Sequence, residues 1–149
     1  MIAEATVYKL LSSDEQFNTL LNTIRGGEFG SGYKQGIFTY TIPETPVNVI
    51  KKELAPFVRI NPNYDIPVHY ADDTPLAVEY RVTINFWAKT ARQSEQITKL
   101  MDDILEKAGF ERYTANEKPR YKDTSIDLLM NVRKYRFFDW TVKTGNEEI

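Results

Sequence analysis

The passage from Leu76 to Gly109 constrains the fold of this chain more than any other, because its hydrophobic period changes partway along. Val78, Tyr80, Val82, Ile84, Phe86 and Ala88 alternate with Glu79, Arg81, Thr83, Asn85 and Trp87. Successive side chains of a strand point to opposite faces, so this pattern predicts a strand with one buried and one mixed face. Ile97, Leu100, Met101, Ile104, Leu105 and Ala108 then recur at the spacing of a helical stripe. The spacing predicts a helix over Ala91–Ala108, capped by Thr90 with Gln93 as its capping-box partner. Gly109 stands where a helix end needs a left-handed residue. No catalytic motif lies in this strand–helix unit.

The rest of the chain builds around it. Ile2–Leu11 reads as a helix, and Ser12 or Ser13 can cap a second one whose apolar face is Phe17, Leu20, Leu21 and Ile24. A single helix kinked at the serines fits the same pattern. Residues 26–36 (GGEFGSGYKQG) hold five of the seven glycines and read as a flexible loop. Ile37–Ile42 alternates as a strand until Pro43 and Pro46, and Val47–Leu54 fits either a short helix or an extended connection. Phe57–Ile60 reads as a strand, Asn61–Asn63 as a turn, and Tyr64–Pro75 as a wide loop leading into the long strand, antiparallel to the first. Phe110–Ala115 and Ser125–Trp140 read as further strands. Between Val132 and Tyr135 the alternation slips by one residue, which predicts a bulge or bend near Arg133–Lys134. Residues 141–149 read as a loose tail. The sum is a single α+β domain over residues 1–149: a mostly antiparallel twisted sheet, an amphipathic helix on one face and N-terminal helices nearby.

Composition and motifs narrow the chemistry. The net charge is −2, so no global field favours nucleic acid. The absence of cysteine removes disulfides and thiolate chemistry. No apolar run reaches the roughly 18 residues of a membrane span, and the first residues lack a signal-peptide pattern, so a soluble cytosolic product with no membrane contact is expected. The glycine loop fails as a phosphate cradle: Tyr33 stands where a P-loop needs lysine, and a helix rather than a strand precedes it. A hydrolytic triad would have to use His69, the one histidine, and no nucleophile elbow accompanies it. Asp72–Asp73 and Asp102–Asp103 read as solvated faces, and Glu79 and Arg81 are placed to ion-pair across strands. These readings point to no enzyme, no metal and no cofactor. Arg133, Lys134 and Arg136 interleave with Tyr135, Phe137 and Phe138, which fits either single-strand binding or a strand with a basic edge.

The order of these features resembles the small tail-terminator, or tail-completion, proteins of long-tailed non-contractile bacteriophages. The resemblance runs from about Val7 to Trp140. It is sharpest in the long strand ending VTINFWAKT, the helix after it, and the aromatic last strand RKYRFFDW. It implies an α+β subunit of a homohexameric ring in the virion, at the head-proximal end of the tail, assembled in the host cytoplasm. Such a ring ends tube polymerisation and contacts the major tail-tube protein and the head–tail connector or stopper protein, with the tape-measure protein as a further contact. DNA passes through its lumen without specific binding. Two readings stay beside it: another head-closure or neck protein, and a small nucleic-acid-binding accessory protein.

A closed ring needs two different patches meeting head to tail. Exposure logic nominates Phe29, Tyr33 and Lys34 in the glycine loop, Arg81, Asn85 and Trp87 on the long strand, and Arg133, Lys134, Arg136 and Phe138 on the last strand. Trp87 is the first of these expected to meet a neighbouring subunit.

Overall fold

The backbone turns where the period changes. In a computed structural model, which describes residues 1–30, 32–33, 35–45, 48–113 and 118–140, β3 (Thr74–Ala88) runs into α3 (Ala91–Lys107) through two residues. Thr90 accepts the Gln93 backbone N–H at 3.1 Å, and Gln93 Oε1 accepts from the Lys89 N–H. The helix ends at Gly109, whose φ is +93°, with the Phe110 N–H bonded to the Leu105 carbonyl. A Cβ on Gly109 would lie 2.9 Å from the Phe137 ring, so both conformation and space require glycine there.

Around this unit the chain places α1 (Ala3–Ser12), α2 (Glu15–Arg25), β1 (Ile37–Thr39), β2 (Phe57–Ala71), β4 (Glu111–Tyr113), β5 (Arg120–Asp123) and β6 (Leu128–Asp139). The sheet order is β1-β2-β3-β6-β4, with β5 also paired to β6. All pairs are antiparallel except β1 with β2. This is the α+β architecture expected, with one parallel pair added. The N-terminal helices are two, not one kinked rod. Asp14, rather than a serine, caps the second by accepting the Phe17 N–H at 2.8 Å, while the Ser13 hydroxyl donates back to the Lys9 carbonyl.

The largest departure lies in residues 61–75. No turn forms at Asn61–Asn63 and no wide loop follows; β2 continues through both prolines to Ala71, with a register shift between Pro62 and Tyr64. Past Ile60 its outer edge has lost its β1 partner, and an edge strand tolerates a missing N–H. Asp72 and Asp73, with φ of +49° and +62°, close a two-residue turn. Both positive φ values match the twist of a tight hairpin, and aspartate accepts that region better than most residues. The result is a hairpin of two 15-residue strands. Its distal part passes the last β6 pairing, Val78 with Asp139.

Two apolar clusters lie on opposite sides of the sheet. The larger packs Val7, Leu11, Phe17, Leu21, Ile97, Met101 and Leu105 of the helices onto Val58, Ile60, Val82, Ile84 and Phe86. The smaller packs Phe29, Ile42, Val49 and Ala55 of the 29–56 connection onto Phe57, Trp87 and Leu128. This explains the slip in β6. Its pairing with β3 is continuous from Leu129 to Asp139, without the expected bulge. Leu128 and Met130 instead serve the smaller cluster, and Tyr135 and Phe137 the larger one on the other face. Among the described residues no helix is long and apolar enough to cross a membrane. Lys34, Thr114–Ala115 and the tail 141–149 lie outside the described residues.

Candidate functional site

All three helices bury their apolar stripes on one face of the sheet. Among the described residues, the other face is covered only near the Trp87 end, by the 29–56 connection. Alternation in β2, β3, β6 and β4 then brings a set of polar and aromatic side chains onto the uncovered part. Arg81 of β3 lies directly opposite Arg136 of β6, and Tyr64 of β2 opposite Arg81. Glu111 of β4 is the cross-strand neighbour of Arg136.

Two like charges side by side would repel. Each guanidinium has its own carboxylate: Arg81 Nε lies 2.7 Å from Glu79, and Arg136 Nε lies 2.6 Å from Glu111. The Arg81 guanidinium also sits 4.8 Å from the Tyr64 ring centre and 4.6 Å from that of Tyr113. Arg136 lies 5.6 Å from the Phe138 ring. Glu79 bonds along the same strand, two residues from Arg81, not across strands as expected. Its hydrogen bond is the chief reason the Arg81 pKa is raised above its ordinary value. The Arg136–Glu111 pair is largely exposed and adds at most about 1 kcal/mol to folding, whereas Glu79 of the Arg81 pair is buried.

Further along the same face, the Thr83 hydroxyl bonds Asn63 at 2.6 Å, and Arg59 donates to Asn85 at 3.0 Å. At the other end His69 stacks on Trp140 at 4.9 Å, with Phe138 beside it at 5.4 Å. Trp140 and Tyr70 stand exposed near the hairpin. His69 is thus part of an aromatic group with Phe138 and Trp140.

The ten nominated residues separate sharply. Arg81, Lys134, Arg136 and Phe138 share this face, and all are partly exposed. Four others are corrected to the interior. Trp87 is 7% exposed, stacks on Phe57 at 5.2 Å and donates its indole N–H to Asp123 at 3.0 Å. Asn85 is buried beside it. Phe29 is a core residue of the smaller cluster, and the missing side chain of Gly36 makes room for its ring. Arg133 is 5% exposed and lies on the helical face, its Nη1 bonded to the Pro119 carbonyl at 2.6 Å. Tyr33 is half-buried against Phe38 at 5.5 Å, so the glycine loop is anchored by aromatic contacts at both of its described ring positions. Tyr64, Tyr113 and Glu111 were not nominated. Tyr64 fell in the supposed loop, and the short β4 gave too few alternations to mark Glu111 and Tyr113 as face residues.

The chain matches no protein-family model and no curated protein.

Proposed function

We propose that this chain is a structural virion subunit of the tail-terminator class, closing the head-proximal end of a phage tail tube as a ring of its own copies. The observation that supports the reading best is the sheet face left uncovered among the described residues, continuous with a long hairpin whose outer edge has no strand partner among them past Ile60. A head-to-tail ring needs a patch of fixed shape and charge that does not hold the monomer together. The Arg81–Glu79 and Arg136–Glu111 pairs with Tyr64, Tyr113 and Phe138 have that character. On this reading the tail-tube protein lies on one side of the ring and the connector or stopper on the other. The tape-measure protein is a further contact, and DNA crosses the lumen.

Separation of Arg133 from Lys134 and Arg136 onto opposite faces weakens the alternative of single-strand binding along the last strand. The test is assembly on purified tail tubes, read by light scattering and electron microscopy. The protein should bind tube ends and stop their elongation. The double variant Arg81→Gln, Arg136→Gln should lose end binding at least about tenfold while its circular dichroism is unchanged. A protein that leaves tube growth unaffected and stays monomeric on tubes would overturn the proposal. Capture by the connector alone would replace it with the head-closure reading.

A further inference from the structure

On the helical face, away from the surface just described, α3, β4, β5 and β6 enclose an open cavity of about 460 Å³. Its charged lining is Glu95, Lys99 and Asp102 of α3, Arg112 of β4, Arg120 of β5 and Arg133 of β6. Three guanidiniums from three different strands therefore converge at one place. Arg133 is buried, Arg120 partly buried and Arg112 exposed, so the group runs from the interior to the surface, and its buried member needs a partner.

The internal partners among the described residues do not suffice. Asp102 Oδ1 is engaged twice, by the Tyr135 hydroxyl at 2.5 Å and by Arg112 Nε at 3.1 Å. Arg133 Nη1 bonds the carbonyls of Pro119 and Val132. The Nε atoms of Arg120 and Arg133 are buried and have no hydrogen-bond partner among the described residues. Burial first, and then repulsion from Arg112 and Arg120, pulls the Arg133 guanidinium below its ordinary pKa. Unsatisfied buried donors at the inner end of a cationic group are a cost that an anion bound among these arginines lowers.

We infer that this cavity is a binding site for a phosphoryl dianion, held by Arg112, Arg120 and Arg133 with Lys99 at its mouth. Charge count favours phosphate over a carboxylate. Among the described lining residues four cations face two carboxylates, which leaves a formal surplus of two positive charges. A phosphate monoester carries about −1.5 to −2 at neutral pH, and a carboxylate only −1. Its tetrahedral oxygens also accept from several guanidinium forks at once, as three arginines on three strands require. The site is independent of the assembly reading, because it lies on the opposite face of the sheet from Arg81 and Arg136.

Two sources supply this chemistry, the free ion and a terminal phosphate ester. Thermal unfolding of the full chain and isothermal titration should therefore be run with inorganic phosphate and, separately, with thymidine 5′-monophosphate, with chloride matching the ionic strength. Inorganic phosphate should raise Tm in a saturable way that chloride does not reproduce. Arg120→Gln should weaken the affinity about tenfold or more, and the exposed Lys99→Gln less. Arg81→Gln, on the far face, should titrate like the wild type. Binding of both ligands extends the site to esters, and binding of inorganic phosphate alone restricts it to the free ion. A phosphate effect that chloride equals, or one that survives unchanged in both Arg120→Gln and Lys99→Gln, overturns the inference.

Discussion

Replacing Trp87 with alanine tests whether this indole belongs to the fold or to an interface. Its ring is 7% exposed, stacked on Phe57, and within 5.3 Å of the Arg59 guanidinium. A tryptophan buries roughly 200 Å², which at ~25 cal/mol per Å² gives an upper bound of about 5 kcal/mol. The Cβ retained in alanine lowers that figure and the cavity left behind raises it. The expected loss is about 3–5 kcal/mol, a large share of the roughly 5–15 kcal/mol typical of a domain. At this chain length that lowers Tm by ~6–20 °C.

Trp87→Phe isolates the hydrogen bond. It keeps most of the ring but removes the donor to Asp123 Oδ2, and should cost about 1–2 kcal/mol. Asp123 adds a pH signature. Its pKa is lowered first by the Ser125 hydroxyl and then by the Trp87 indole. A carboxylate whose folded pKa lies below its unfolded value stabilises above the unfolded pKa, and loses that contribution as pH falls through the folded one. The difference between wild type and Trp87→Phe should therefore narrow below about pH 4. Urea unfolding followed by circular dichroism measures both effects. Trp87→Ala unfolding within about 1 kcal/mol of wild type would refute the reasoning and return Trp87 to the list of assembly residues.

Gly109→Ala should lose about 1–2 kcal/mol, read by the same urea titration, because alanine is strained at φ +93° and its Cβ meets the Phe137 ring. An unchanged midpoint would mean that the α3 terminus adapts freely. At the hairpin tip, Asp73→Gly should keep or slightly raise protection of the Ala71 and Thr74 amides from hydrogen exchange. Asp73→Val should lower it by about tenfold, since a β-branched residue resists the φ of +62° found there.

The slip in β6 shows why a correct pattern can carry a wrong conclusion. Ile126, Leu128, Met130 and Val132 do alternate, and Tyr135 and Phe137 are out of phase with them. A one-sided sheet would need a bulge to keep all of them buried. This sheet has a core on each side, so a straight strand satisfies both sets. The same two-sidedness buried Trp87 and Phe29. An exposed Trp87 would need the mixed face of β3 open along its whole length, and an exposed Phe29 would need the glycine loop free of the sheet.

Features that depend on neighbours close along the chain were legible from local pattern. The β3-to-α3 switch, the Thr90 cap and the Gly109 stop follow from side-chain period and from backbone groups within a turn of each other. Local pattern also placed Arg81, Lys134, Arg136 and Phe138 on strands, but it put Arg133 in the same patch as Lys134 and Arg136. Tertiary structure decided everything that needed a partner far along the chain. It drew β2 through two prolines, because hydrogen bonding to β3 and an unpaired outer edge outweigh their turn preference. It set Arg81 opposite Arg136, since register across strands separated by 55 positions is fixed by packing and not by local propensity. It also gathered Arg112, Arg120 and Arg133 around one cavity, although in the sequence each is an unremarkable cation on a different strand.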